Sequence, residues 1–263
     1  MAPDRVEFRP TIDRPWLERA AVADPVAHAY ALWDLDRFPG PVRFVSAVRA
    51  GATVAYLLVW QPEGRPPMVH WVGEAVEGLT DHLPARPVVV TGAEPVRDRV
   101  EQARGPALVY PILVEFAPVG APMPRSPHDG QVRRLTRTDA SHLAGLAEEG
   151  ADVVAASYAH VDLDGEVVFG GFQEGRLMGV ARAVVRLPRI WLVSGVFVRP
   201  SGRGQGWGLA VTRAVQAEAR RAGAPTALFV REDNLAATAV YARLGFRPVE
   251  RRVWLDCGLG LSP

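Results

Sequence analysis

Four alternating glycines, at positions 202, 204, 206 and 208, separate two segments of opposite character. Before them, Ile190–Val198 is apolar on both faces, which marks a strand at the centre of a sheet, with Gly195 a candidate bulge. After them, Val211, Ala214, Val215, Ala219 and Ala222 share one helical face, while Arg213, Gln216 and Arg220 point the other way. A buried strand that turns at once into an amphipathic helix belongs to a mixed α/β layer, not to a helical bundle or a barrel. Gly223 is the expected stop, with Arg220 and Arg221 in the last turn where they suit the helix dipole. Each glycine costs chain entropy, and four exceed what one tight turn needs.

The flanking pattern extends this layer in both directions. Val132–Leu135 reads as a short strand and Thr138–Glu149 as a helix capped by Thr138 or Asp139. Val167–Gln173 and Leu177–Val185 flank Glu174-Gly175-Arg176, a hairpin signal. Thr226–Arg231 is a further strand, Leu235–Leu244 a short helix and Val249–Asp256 a closing strand. The first half carries a fainter copy of the same order. Val42–Arg49 and Thr53–Trp60 surround Ala50-Gly51, Met68–Val72 is a third strand, and Glu74–His82 is weakly amphipathic. Pro87–Val90 and a helix near Glu94–Arg104 come next, so an internal duplication is expected. Ala117–Gly130, with prolines at 118, 122, 124 and 127, reads as a semi-rigid linker between domains at 1–116 and 131–263.

A glycine turn at a helix start presents successive backbone N–H groups and a partial positive charge, which suits a phosphate or pyrophosphate. From Gly175 through Ala217 there is no Asp or Glu, but there are seven arginines, at 176, 182, 186, 189, 199, 203 and 213. The whole chain has a formal charge of only +1, so this is a local cationic field suited to a small polyanion. Nucleic acid fits less well, because the segment lacks interleaved aromatics and any helix-turn-helix or RNP pattern. All 30 basic residues are arginine, which excludes a Walker loop and every mechanism built on a lysine amine. The G-x-G-x-x-G fingerprint also fails, since Leu209 and Val211 stand where its third glycine is needed. The single cysteine, Cys257, allows neither an internal disulfide nor a cysteine-based metal site. No run of about 18 apolar residues or signal-peptide pattern occurs, so a cytoplasmic protein off the membrane, without a metal, is expected.

Two ordered motifs are more specific than the glycines alone. Arg203-Gly204-Gln205-Gly206-Trp207-Gly208 resembles the Q/R-x-x-G-x-G/A signature of the GNAT acyltransferase superfamily. Asn234 to Phe246, with Tyr241, Leu244 and Gly245, resembles that family's N-x-x-A-x-x-x-Y-x-x-L-G-F segment. The resemblance covers roughly Val132–Asp256. The first half carries neither motif and looks like a degenerate copy in a tandem GNAT-like arrangement.

The resemblance implies a GNAT-like fold and an N-acyltransferase using acetyl-CoA or another acyl-CoA as cosubstrate. It implies a small-molecule or peptide amine as acceptor, in a monomer or homodimer. By that likeness the acyl-CoA lies between the splayed strands Ile190–Val198 and Thr226–Arg231, along Val196, Phe197 and Val198. Its pyrophosphate would meet the N–H groups from Arg203 to Gly208, with Trp207 expected to pack the helix on the sheet. Tyr241 sits where the family has a general acid for the departing thiolate, a role a phenol can fill. Asn234 either contacts the cosubstrate or caps its helix. The strand Ile190–Val198 holds no Asp, Glu or His, so the nearest base candidates are Glu166, Asp164, Asp162 and His160. His142 is expected to be structural, and Cys257 has no evident catalytic partner. A catalytically silent acyl-CoA-binding regulator or scaffold is the competing reading.

Overall fold

The computed structural model describes residues 5–38, 40–61, 63, 65–85, 87–148, 157–158 and 161–260. In chain order the first elements are β1 (Val6–Arg9), α1 (Arg14–Ala23), α2 (Ala29–Arg37), β2 (Val42–Arg49), β3 (Ala52–Trp60) and β4 (Met68–Gly73). They continue with β5 (Val88–Ala93), α3 (Pro95–Arg104), β6 (Leu108–Ala117), β7 (Val132–Arg134), α4 (Ala140–Glu148) and β8 (Val167–Gln173). The last are β9 (Arg176–Leu187), β10 (Ile190–Val198), α5 (Trp207–Arg221), β11 (Thr226–Arg231), α6 (Leu235–Arg243) and β12 (Arg247–Cys257). The expected mixed α/β layer is therefore present. Among the described residues, no helix is long and apolar enough to cross a membrane.

The chain forms two compact units, Met1–Ile112 with Arg251–Ser262, and Leu113–Glu250. The divisions fall inside β6 and β12, not in the proline-rich segment. In the first unit the strands run β1-β2-β3-β4-β5-β12, and in the second β6-β11-β10-β9-β8-β7. Counted along the chain, both are the same order: five strands of one half, then a strand that the other half supplies. Arg252–Cys257 of β12 pair antiparallel with Val88–Ala93 of β5. Composition could not show this exchange, because β6 and β12 carry ordinary strand patterns wherever they dock.

In the first unit, Leu57, Trp71, Val88 and Val90 pack with Val96 and Val100 of α3 and with Val253 and Leu255 of β12. The opposite face carries Phe44, Tyr56, Leu58 and Val72 beneath Leu17 of α1 and Ala31 of α2. Each such burial contributes about 1.5–3 kcal/mol. The β2–β3 turn places Ala50 at φ 49° and Gly51 at φ 79°, and the β8–β9 turn places Glu174 at φ 49° and Gly175 at φ 78°. Both are left-handed pairs whose twist matches that of the flanking strands. The stretch expected to be amphipathic at Glu74–His82 holds only a 3-10 turn at Leu79–His82. There the indole N–H of Trp71 binds the Glu74 carbonyl and Gly78 takes φ 86°, so no longer helix forms.

Asp34 on α2 is 7% exposed, and burial pushes its carboxyl up to about 7 from 3.8. A carboxyl with a raised folded-state pKa binds more protons when folded, so stability falls as pH rises between about 4 and 7. At about 1.4 kcal/mol per unit, the loss is a few kcal/mol. Asp34→Asn is expected to raise the melting temperature at pH 8 and to change it little at pH 4. Thermal melts of both proteins across that range check this, and a pH-independent difference would refute it.

In the second unit one sheet face carries Ala181, Ala183, Trp191, Val193, Leu228 and Val230 under α5 and α6. The other carries Val168, Leu177, Val180 and Phe197 with Leu143 and Leu146 of α4. α5 ends as its sequence indicates. Gly223 takes φ 72°, its N–H binds the Arg220 carbonyl at 3.0 Å, and Ala224 N–H binds Ala219 at 2.9 Å. α4 starts two residues later than expected. Its entry is a 3-10 turn closed by a capping box between Thr136 and Asp139, not a cap at Thr138.

The segment 117–130 is packed into this unit. Ala117 and Ala121 join its core, the Ser126 hydroxyl binds the Gly206 carbonyl at 3.2 Å, and Asp129 pairs with Arg213 at 3.3 Å. Pro118, Pro122 and Pro127 are exposed and Pro124 is half-buried, a pattern that the composition of a linker equally allows.

Candidate functional site

The site is built where two parallel strands part. β10 and β11 pair only from Trp191↔Thr226 to Val193↔Leu228, although β10 runs on to Val198 and β11 to Arg231. At the point of parting, β10 bulges. Ser194 faces Arg182 and Phe197 faces Val180, so Gly195 and Val196 oppose the single residue Ala181 of β9. Gly195 takes φ 62°, as the sequence suggested. A bulge at a divergence turns peptide groups out of the ladder and towards whatever lies between the strands.

β10 then delivers the glycine turn. A 3-10 turn at Pro200–Gly202 leads to Gly204 at φ 74° and Gly206 at φ 95°, both backbone states that disfavour a side chain. Gly206 is the residue before α5, with no side-chain cap, so the first-turn amides from Trp207 onward have no acceptor within the helix. The geometry has the form expected from the sequence, a glycine turn that leaves backbone donors at a helix start.

Its side chains mostly face away from that site. Trp207 is fully buried, stacked on His128 at 3.7 Å between ring centroids, so only its amide is available. The Gln205 side chain binds back to the Ser201 carbonyl, and His128 Nε2 lies 2.9 Å from the Gln205 carbonyl oxygen. Phe197 is 5% exposed and packs with Leu177 and Val180. Val196 and Val198 are half-buried, and Gly208 opens the helix. Asn234 acts as a cap, its side-chain oxygen accepting the Ala237 N–H at 3.1 Å.

The arginine field resolves into separate roles. Arg199 is buried and donates to the Leu177 carbonyl at 2.5 Å, Arg213 is held by Asp129, and Arg182 by Glu166 at 3.3 Å. Arg203 is exposed at the turn, with a long 3.3 Å contact to the Val198 carbonyl.

Tyr241, on α6, lies in the core shared by Val193, Leu228 and Phe246, with its ring 5.9 Å from that of Phe246. Burial, and then the nearby Glu115 charge, push its phenol above the ordinary range. It is therefore protonated at neutral pH and available as a hydrogen-bond donor. Glu115 is a residue that sequence reading missed. It belongs to β6, outside both motifs, yet shares a strand face with Leu113 and Ala117 of the Tyr241 core. It is 3% exposed, Oε2 has no hydrogen-bond partner, and burial pushes its carboxyl up.

The opposite face at the bulge carries a second group. Glu166 pairs with Arg182, whose guanidinium lies 5.1 Å over the Tyr158 ring, and the Tyr158 hydroxyl donates to the Gly195 carbonyl at 2.5 Å. Among the base candidates this brings Glu166 to the site. Asp164 instead pairs with Arg137, Asp162 receives the Asp164 N–H, and His160 lies outside the described residues. His142 packs edge-on against Phe172, and Cys257 sits half-buried on the part of β12 that belongs to the first unit.

The first unit repeats the parallel pair without the turn. β4 and β5 pair over only three residues, Met68↔Val89 to His70↔Thr91. In place of a glycine turn, β4 leads into the acid-bearing stretch Gly73–His82, with Glu74, Glu77 and Asp81, which would repel a phosphate.

Comparison with known proteins respects this division. The Acetyltransferase (GNAT) family matches residues 131–246. A protein from Novosphingobium aromaticivorans described as a GNAT-family acetyltransferase is 26% identical, with a TM-score of 0.57 over 76% of this chain and 86% of that one. A tandem GNAT protein from the clavulanic acid biosynthesis pathway is 17% identical, with a TM-score of 0.59 over 98% of this chain and all of its own. A GCN5-related N-acetyltransferase from Sphaerobacter thermophilus is 18% identical, with a TM-score of 0.62 over 100% and 99%. No functionally curated protein matches the sequence. The fold likeness thus extends over nearly the whole chain, whereas the sequence match is confined to the stretch that holds the bulge, the glycine turn and Tyr241. That stretch, residues 131–246, is a domain of the GNAT acetyltransferase family.

Proposed function

We propose that the chain is an acyl-CoA-dependent N-acyltransferase, with acetyl-CoA the simplest donor and a small-molecule or peptide amine the acceptor. The observation that carries this reading is the parting of β10 and β11 at Val193 and Leu228, with a glycine turn at the end of β10. A pantetheine arm fits along Val196 to Val198, and a pyrophosphate fits the turn from Arg203 to Gly208. The Arg203 and Gln205 amides there already donate to the Pro200 and Gly202 carbonyls, so the amides of Gly204 and of Gly206 to Gly208 are the ones to meet it. When bound, acyl-CoA supplies an activated acyl group and a thiol leaving group. Arg203 adds positive charge beside the turn. Tyr241 donates its phenolic hydrogen bond to the sulfur as charge develops there; with its acidity weakened by burial, full transfer waits until that charge has formed. Glu166, at the bulge on the other face, takes the proton of the incoming amine, directly or through one water.

We further propose that the first unit is a degenerate copy of the same domain. Its matching strand order supports this, and the acidic residues after β4 argue that it holds no coenzyme.

Free thiol released from acetyl-CoA in the presence of a panel of amines tests the reading. Repeated turnover with at least one amine is expected. Tight binding of acetyl-CoA with no thiol release from any amine would favour a silent binder instead.

A further inference from the structure

The bulge that opens the site does not stand on its own strand alone. Gly195 and Val196 both leave the β9–β10 ladder, so their peptide groups need other partners. The Gly195 carbonyl has one: the Tyr158 hydroxyl at 2.5 Å. Tyr158 is 2% exposed, and burial raises its phenol above the ordinary range, so it remains a donor at any working pH. Its ring is held in turn by the Arg182 guanidinium at 5.1 Å. Arg182 is anchored at both ends of its fork, to Glu166 and to the Ser157 hydroxyl, each at 3.3 Å. A Cβ placed on Gly195 would stand 2.7 Å from the Tyr158 oxygen and 3.2 Å from Arg182 Nε, so these two side chains fill the space beside the bulge.

We propose that Tyr158 is a positioning residue for the acyl donor, clamping the Gly195 carbonyl so that the Val196 peptide stays turned towards the gap between β10 and β11. Arg182 and Glu166 brace it. The inference rests on the acyltransferase reading and adds to it a group that neither motif contains. A bulged strand can relax towards a regular ladder when its displaced carbonyl loses its partner. In this chain that relaxation would withdraw the main-chain groups a pantetheine arm needs, and would leave the acceptor side untouched.

Titration calorimetry of acetyl-CoA, without amine, into the wild type, Tyr158→Phe and Arg182→Gln tests this. Loss of one hydrogen bond to a buried carbonyl corresponds to about 1–2 kcal/mol, so Tyr158→Phe is expected to weaken acetyl-CoA binding about tenfold. Arg182→Gln is expected to give a smaller loss in the same direction. Steady-state rates of Tyr158→Phe should show a raised KM for acetyl-CoA with the KM for the amine unchanged. A side chain that only packs the core would lower the melting temperature without separating the two KM values. Acetyl-CoA affinity equal to wild type in folded Tyr158→Phe would overturn the clamp alone. Failure of the wild type to bind acetyl-CoA would overturn the acyl-donor reading and the clamp with it.

Discussion

Tyr241→Phe is expected to lower turnover about 100- to 1,000-fold, within the range general acids contribute, while leaving acetyl-CoA affinity nearly unchanged. The substitution removes one oxygen and keeps the ring that packs against Phe246, so the core shared with Val193 and Leu228 loses no volume. In the proposed mode of binding, coenzyme affinity rests on main-chain groups at the bulge and the glycine turn, which this change does not touch. The loss should therefore appear in kcat and in kcat/KM alike, the signature of an interaction made in the transition state. Single-turnover thiol release beside a calorimetric titration separates the two quantities. Unchanged turnover would remove Tyr241 from the chemistry and leave it a packing residue.

A chain beginning at residue 131 keeps both motifs and the entire matched segment, yet it is expected not to fold into an active domain. It lacks Leu113–Ala117 of β6, and with them Ala117 and the neighbour of β11, which would be left as an open sheet edge. It also lacks Ala121, which stands against Gly245, and His128, which stacks on Trp207 beneath the glycine turn. At its other end, Arg252–Cys257 would have no β5 to pair with. Circular dichroism melts and acetyl-CoA titration against the full chain measure the effect. The expected result is a broad, non-cooperative transition and no coenzyme binding. A fragment with a cooperative melt and full-length affinity would show that β6 and the proline-rich segment are dispensable.

The central strands and α5 were readable because their signals are local. Ile190–Val198, Val167–Gln173 and Thr226–Arg231 are observed with the bounds their patterns suggested, and Glu174-Gly175 and Gly223 punctuate them through backbone states that glycine favours. The turn around Gly204 and Gly206 was legible for the same reason. α1, α2, β1 and β6 were not, although α1, α2 and β6 are rich in apolar residues: Pro111 interrupts β6, β1 is only four residues long, and such helices and strands form only against a partner. Strand exchange was invisible in principle: a strand's own residues do not say which sheet edge it joins. The same limit hid part of the site. Glu115 and Tyr158 carry no motif, and each matters only through what the fold sets beside it, Tyr241 in one case and the Gly195 carbonyl in the other.

On the acyltransferase reading, the surface that meets the donor around the glycine turn is peptide apart from Arg203, with Gln205 turned back on its own loop, Trp207 buried and Asn234 occupied as a cap. Recognition written in the main chain separates how the donor is held from which side chains surround it. For redesign, this makes the molecule modular. The glycines and the Tyr158–Arg182–Glu166 brace are the part to leave alone, and a new acceptor has to be written in beyond them if the question of how the acyl group arrives is not to be reopened.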